Sequence, residues 1–171
     1  LLNKGFDLTV YNRTIEKTKE FADKGAKVAK SPKELGNCDV VVMIVTDPSA
    51  VEDVIFSDNG LVHGMKKGSV IIDSSTVTPE CSISCYNRLK EKGIHYLDAP
   101  VTGSKQGALD GTLMFMVGGN KSVLDANMDV FNAMGKKTVY IGESGKGSYI
   151  KLVNNMIIAA LMEVFITPKL F

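Results

Sequence analysis

The 171-residue chain has no tryptophan, and aromatic residues make up only 7% of it. Cysteines number three: Cys38, Cys81 and Cys85. So few, and an odd number, cannot supply a disulfide framework; a reducing compartment is favoured, and a cytoplasmic location is expected. Cys81 and Cys85 stand four apart without the His or Cys partners that complete a metal site, so no metal is expected. A charge excess is also missing. The 20 Lys and Arg are balanced by 19 Asp and Glu, which leaves no basic field for nucleic acid or a membrane surface. The longest apolar run, Met156 to Met162, is short beside the ~20 residues of a bilayer span, so no membrane partner is expected, nor a secretory leader. Internal repeats and low-complexity linkers are absent too.

What is present is ordinary globular material, 44% hydrophobic and 23% charged, enough for one core-bearing domain. Short apolar segments alternate with helical ones. Strands are predicted at Leu8 to Tyr11, Lys27 to Ala29, Val40 to Val45, Val70 to Ile72, His95 to Leu97, Leu113 to Val117 and Thr138 to Ile141. Four of the six residues from Val40 to Val45 are valine, a run suited to a strand buried on both faces of a parallel sheet. Helices are predicted over Ile15 to Lys24, after the capping-box spacing Ser31-Pro32-Lys33-Glu34, after Asp47-Pro48, from Thr78-Pro79-Glu80 to Gly93, and over Lys121 to Met134. Alternation of this kind implies an α/β, doubly wound, mainly parallel sheet. Ligands of such sheets bind beyond the carboxyl ends of the strands. Those ends are Asn12-Arg13-Thr14, Val45-Thr46-Asp47, Ser74-Ser75-Thr76 and Ala99 to Gly107. His63 and His95 have no sequence partners and read as structural or surface residues.

A dinucleotide fold opens with a strand, G-x-G-x-x-G and a helix, with a ribose-reading residue about 20 residues on. Here Leu1-Leu2-Asn3-Lys4-Gly5 reads as the end of that first helix, and Asn12-Arg13 falls at the ribose position. The glycine-rich turn and first strand are therefore expected upstream of residue 1. An arginine at that position suits a 2′-phosphate, where an acid would suit a free 2′-hydroxyl. Near the other end, Gly145-Lys146-Gly147-Ser148-Tyr149-Ile150-Lys151-Leu152-Val153-Asn154-Asn155 sets a lysine into a segment in which 11 of the 15 residues from Lys151 to Phe165 are apolar. A helix apolar nearly all round is buried or lies between domains.

These motifs together resemble the β-hydroxyacid dehydrogenase family, the relatives of 3-hydroxyisobutyrate dehydrogenase, and look most like its NADPH-dependent glyoxylate and succinic semialdehyde reductases. The segments carrying the resemblance are LLNKG with the strand and Asn12-Arg13-Thr14 that follow, Asp73 to Glu80 (DSSTVTPE), Asp98 to Leu113 (DAPVTGSKQGALDGTL, against the family's D-A-P-V-S-G-G), and GKGSYIKLVNN, against G-x-G-x-x-x-K-x-x-N-N. Thr102 stands where the family usually has serine, and Ser104 replaces the second glycine, as in the semialdehyde-reductase branch.

The resemblance implies an incomplete NADP-binding Rossmann domain over residues 1–150. Residues 151–171 would start an interdomain helix leading to a helical second domain, although Ile166-Thr167-Pro168-Lys169 does not continue the family pattern. It implies hydride transfer between NADP(H) and a small carboxylate-bearing β-hydroxyacid, semialdehyde or oxoacid, in a protein that is a homo-oligomer when complete. Lys151 would be the general acid or base. Thr102, Gly103 and Ser104 would grip the substrate carboxylate, and Asn155 would bond the substrate and hold the lysine. Asn12, Arg13 and Thr14 would hold the adenosine phosphate, with Val45, Thr46 and Thr76 along the cofactor path. The family likeness also extends to non-catalytic scaffolds; those lose the lysine that is present here, and an inactive fragment is the remaining alternative.

Overall fold

The computed structural model describes residues 1–166; the expectation for Thr167 to Lys169 lies outside them. Two sheets form, a small parallel one and a larger mixed one. The smaller pairs β1 (Thr9–Val10) with β2 (Lys27–Val28). Between them a 3-10 turn, Ile15–Thr18, leads into α1 (Lys19–Ala22), so the predicted helix is split into two pieces. The larger sheet runs β3 (Val40–Met43), β4 (Val70–Asp73), β5 (His95–Asp98), β7 (Leu113–Gly119), with β6 (Val101–Thr102) and β8 (Gly135–Gly142) also paired to β7. The β3–β4–β5 and β7–β8 pairs are parallel, while β7 meets β5 and β6 antiparallel. This is the mixed, mostly parallel α/β sheet that the alternation predicts. β1 and β3 are each paired on one side only.

Burial explains the strand sequences. Every residue of β4 is buried, whereas β3 alternates half-buried and buried positions. The expectation that Val40 to Val45 is sealed on both faces is thus corrected. The strand stops at Met43, Ile44 is 68% exposed and Val45 is half-buried, because β3 has a sheet neighbour only at β4. One core packs Val41, Met43, Ile71 and Tyr96 against Val51 and Ile55 of α2 (Pro48–Phe56) and Cys85 and Leu89 of α3 (Pro79–Glu91). The other packs Ile72, Leu97, Phe115 and Val117 against α5 (Lys121–Ala126) and α6 (Met128–Met134), where Phe115 and Phe131 meet edge to face at 5.1 Å.

Helix starts follow their caps. The Asp47 carboxylate accepts from the Ala50 N–H at 2.9 Å and from the hydroxyls of Ser49 and Thr46, which hold it down at about 2. Thr78 caps α3 through the Cys81 N–H. The capping box at Ser31 does not close: Ser31 makes no cap bond, Glu34 accepts from the Lys30 N–H instead, and the segment is a 3-10 stretch, Pro32–Asn37. The single helix expected over Lys121 to Met134 breaks at Asn127, whose side chain donates back to the Val123 carbonyl at 2.7 Å. Three elements go beyond the sequence expectations: the 3-10 turn Leu61–His63, β6, and α4 (Ser104–Asp110) directly after β6.

The last described helix, α7 (Lys146–Ile166), packs its first turns against α3, β5, β7 and β8. Beyond them Met156, Ile157, Leu161, Met162, Val164 and Phe165 are each more than half exposed. A count of uninterrupted apolar residues underrates this helix. Lys146–Phe165 is long and apolar enough to cross a membrane by length and composition, a property it shares with core helices of soluble proteins.

Candidate active site

The structure joins the two glycine-bearing motifs at one buried carboxylate. Asp98 ends β5 and is 1% exposed. Its Oδ1 accepts from the Gly145 N–H at 2.9 Å and its Oδ2 from the Ser148 N–H at 3.0 Å. Burial pushes its carboxyl above the usual range, and these two N–H groups pull the other way. The glycines make room for it. A Cβ on Gly147 would lie 2.5 Å from the carbonyl oxygens of Asp98 and Met116, and one on Gly118, the β7 residue opposite Asp98, would sit 2.7 Å from Oδ2. Ser148 adds a buried hydroxyl contact of 2.8 Å to Ser82 of α3.

From that root α7 carries Lys151 three residues further. The lysine is half-buried and makes no ion pair among the described residues. Desolvation lowers its pKa below the usual lysine value. Asn155 is exposed, and no hydrogen bond joins it to Lys151 among the described residues. The neighbouring Asn154 is the amide that turns inward, with a buried Nδ2 that has no hydrogen-bond partner among the described residues. Thr102 is half-buried at the end of β6 and pairs with Met114; Gly103 (φ 127°) and Ser104 (φ 56°) form the exposed turn into α4.

The cofactor-side candidates lie at strand ends. The Val45 N–H donates to Ser75 Oγ at 2.9 Å, which ties Val45-Thr46 to Ser74-Ser75-Thr76. That turn hangs on a second buried carboxylate, Asp73, whose Oδ1 accepts from the Ser75 N–H and whose Oδ2 accepts from the Tyr96 hydroxyl, both at 2.8 Å. Burial outweighs these bonds and raises the Asp73 carboxyl. Asn12 shapes its turn by accepting from the Thr14 N–H at 2.9 Å, leaving Arg13 exposed at the tip with no ion-pair partner among the described residues. Thr14, Thr46 and Thr76 are likewise exposed. An exposed guanidinium and hydroxyls at the carboxyl ends of parallel strands are the donors an anionic dinucleotide needs, and in that respect the residues present fit the group. No hydrogen bond among the described residues connects Asn12-Arg13-Thr14 to the other motifs. His63 and His95 belong to neither site, and no cluster of three or more His, Cys, Asp or Glu gathers among the described residues.

Sequence reasoning passed over Asp73, Asp98, Tyr96 and Asn154. The available signal was position: both aspartates close a strand directly after buried apolar residues, Ile71-Ile72 and Tyr96-Leu97, where a carboxylate is costly unless it is hydrogen-bonded.

Residues 1–142 match the model of a family described as the NAD binding domain of 6-phosphogluconate dehydrogenase. The chain is 36% identical over 166 residues to glyoxylate/succinic semialdehyde reductase 1 of Arabidopsis thaliana, covering 96% of this chain and 57% of that protein. It is 35% identical over 164 residues to the cytokine-like nuclear factor N-PAC of Danio rerio, covering 95% of this chain and 36% of that one. Among solved structures, Mycobacterium tuberculosis 3-hydroxyisobutyrate dehydrogenase with L-serine superimposes with a TM-score of 0.89 at 28% identity, over 98% of this chain and 58% of that one. The chain thus spans little more than half the length of the reductase and the dehydrogenase, and about a third of the nuclear factor.

Proposed function

Because this chain belongs to the family of the NAD binding domain of 6-phosphogluconate dehydrogenase, we propose that it is the cofactor-binding part of an NADP(H)-dependent oxidoreductase acting on a small hydroxyacid, semialdehyde or oxoacid. The observation that carries this reading is the half-buried Lys151, its pKa lowered by desolvation, on a helix fastened through Asp98 to the Thr102-Gly103-Ser104 motif.

Bound NADPH supplies hydride to the substrate's carbonyl carbon. Lys151 gives its ammonium proton to the oxygen that develops negative charge, and takes it back when the alcohol is oxidised. The lowered pKa brings both protonation states nearer the working range. Thr102, Gly103 and Ser104 orient the substrate through its carboxylate, Asn155 bonds the substrate and holds the lysine, and the Asn154 amide, unpartnered among the described residues, adds a donor. Arg13 pairs with the 2′-phosphate, with Asn12 and Thr14 shaping its turn, while Val45, Thr46 and Thr76 line the path of the cofactor. A cytoplasmic homo-oligomer is part of the same reading.

Lys151→Ala in the whole protein tests it: kcat for succinic semialdehyde reduction falls at least ~100-fold, the low end for general acid–base catalysis, with little change in KM for NADPH. A near-normal kcat removes Lys151 from the chemistry. The second reading is a non-catalytic dehydrogenase-like scaffold, for which the similarity to a protein named as a nuclear factor rather than as an oxidoreductase speaks. Absence of any NADPH-dependent reduction by the whole protein favours that reading.

A further inference from the structure

We infer that Asp98 is a positioning residue for the reaction: its carboxylate sets the rotation and depth of α7 and through them the place of the Lys151 ammonium. The inference rests on the proposed role of Lys151. Asp98 touches three of the four residues from Gly145 to Ser148, accepting from two N–H groups and packing its carbonyl oxygen where a side chain on Gly147 would stand. The same carboxylate fills the space left by Gly118. Both of its oxygens are thus committed, on a side chain that is 1% exposed. Lys151 follows Ser148 by three residues, less than one helical turn, so a shift of the root is passed to the lysine undamped. Asp98 also opens the motif that holds Thr102-Gly103-Ser104, so one side chain fixes the distance between the proton donor and the turn assigned to the substrate carboxylate.

Asparagine is the discriminating replacement. It keeps the shape but has one accepting oxygen, so one of the two N–H groups of Gly145 and Ser148 faces an NH₂ instead. In the whole protein, with succinic semialdehyde and NADPH, Asp98→Asn lowers kcat ~100-fold, the cost of a misplacement of about 1 Å, and leaves KM for NADPH within ~2-fold. Placed on Lys151→Ala, the same change lowers kcat by less than ~3-fold, because a residue acting only through the lysine has nothing left to position. Gly147→Ala forces the helix off Asp98 from the other side and gives the same loss and the same non-additivity; where Asp98→Asn does not fold, this pair decides. Unchanged kcat in either folded variant, or a full additive loss on the Lys151→Ala background, overturns the inference while Lys151 keeps its role. Normal turnover by Lys151→Ala overturns the role of the lysine and, with it, this inference.

Discussion

Removing one oxygen atom, in Tyr96→Phe, tests how the fold tolerates a buried carboxylate. The Tyr96 hydroxyl donates to Asp73 Oδ2 at 2.8 Å, and both residues are 1% exposed. No solvent replaces the lost donor, and Asp73 is left with Ser75, through its hydroxyl and its N–H. A hydrogen bond to a charged acceptor contributes about 1.5–3 kcal/mol. A loss of ~2 kcal/mol corresponds to a Tm decrease of about 4–8 °C for a chain of this size. The pH dependence carries the sharper test. Burial holds the folded-state pKa of Asp73 above its ordinary 3.8. Its contribution to stability therefore declines as pH rises from that value through the folded pKa, because the folded state keeps the proton longer. The Tyr96 bond opposes the rise, so Tyr96→Phe moves the folded pKa further up. The variant's deficit must then grow between the two folded pKa values and level off above them. On the acid side only a neutral hydrogen bond is lost, about 0.5–1.5 kcal/mol. Denaturant titrations of both proteins over a pH series that starts near 3.8 and runs upward to pH ~9, followed by circular dichroism, measure the difference. A deficit that stays constant across the series would refute the view that Tyr96 stabilises an ionised Asp73.

Two further outcomes concern catalysis. Arg13→Ala raises KM for NADPH and leaves KM for NADH nearly unaffected; equal losses with both cofactors show that Arg13 does not read the phosphate. The kcat for reduction is flat at low pH and falls as pH rises through the lowered pKa of Lys151, with an inflection below 10.5, because reduction needs the protonated lysine. Alcohol oxidation shows the opposite limb, rising over the same interval, and an inflection that survives in Lys151→Ala assigns the limb to another group.

Much of the fold was legible because strand residues here are either uniformly apolar, as in Val70-Ile71-Ile72, or punctuated by strong breakers such as Asp47-Pro48 and Thr78-Pro79. Where local chemistry had to compete with tertiary contacts, the reading failed. Ser31-Pro32-Lys33-Glu34 has the spacing of a capping box, yet the Glu34 carboxylate accepts from Lys30. β6 holds two residues, too few for any periodicity, and exists because Val101 and Thr102 find Phe115 and Met114 across the strand gap. The site divides in the same way. The lysine, the glycines and the strand-end hydroxyls announce themselves by spacing. Asp73 and Asp98 do not, since a carboxylate that organises backbone N–H groups from inside is written with the same letter as one in water. Asn154 and Asn155 are adjacent identical residues, and only the helix's rotation on the sheet decides which amide faces inward.

The way α7 is held gives it the mechanics of a lever. It is gripped at Gly145, just before its first turn, and at Ser148, and is bare along most of the length beyond. Its 21 residues extend about 30 Å at 1.5 Å per residue. A pivot of about 5° at the grip sweeps the far end through nearly 3 Å, while Lys151, close to the fulcrum, moves by only about half an ångström over the same arc. Force applied to the distal apolar surface is returned with gain at the root, where it is resisted by the two hydrogen bonds to Asp98, the Ser148–Ser82 contact, the packing on α3, β5, β7 and β8, and the hard stop where Gly147 abuts the strand carbonyls.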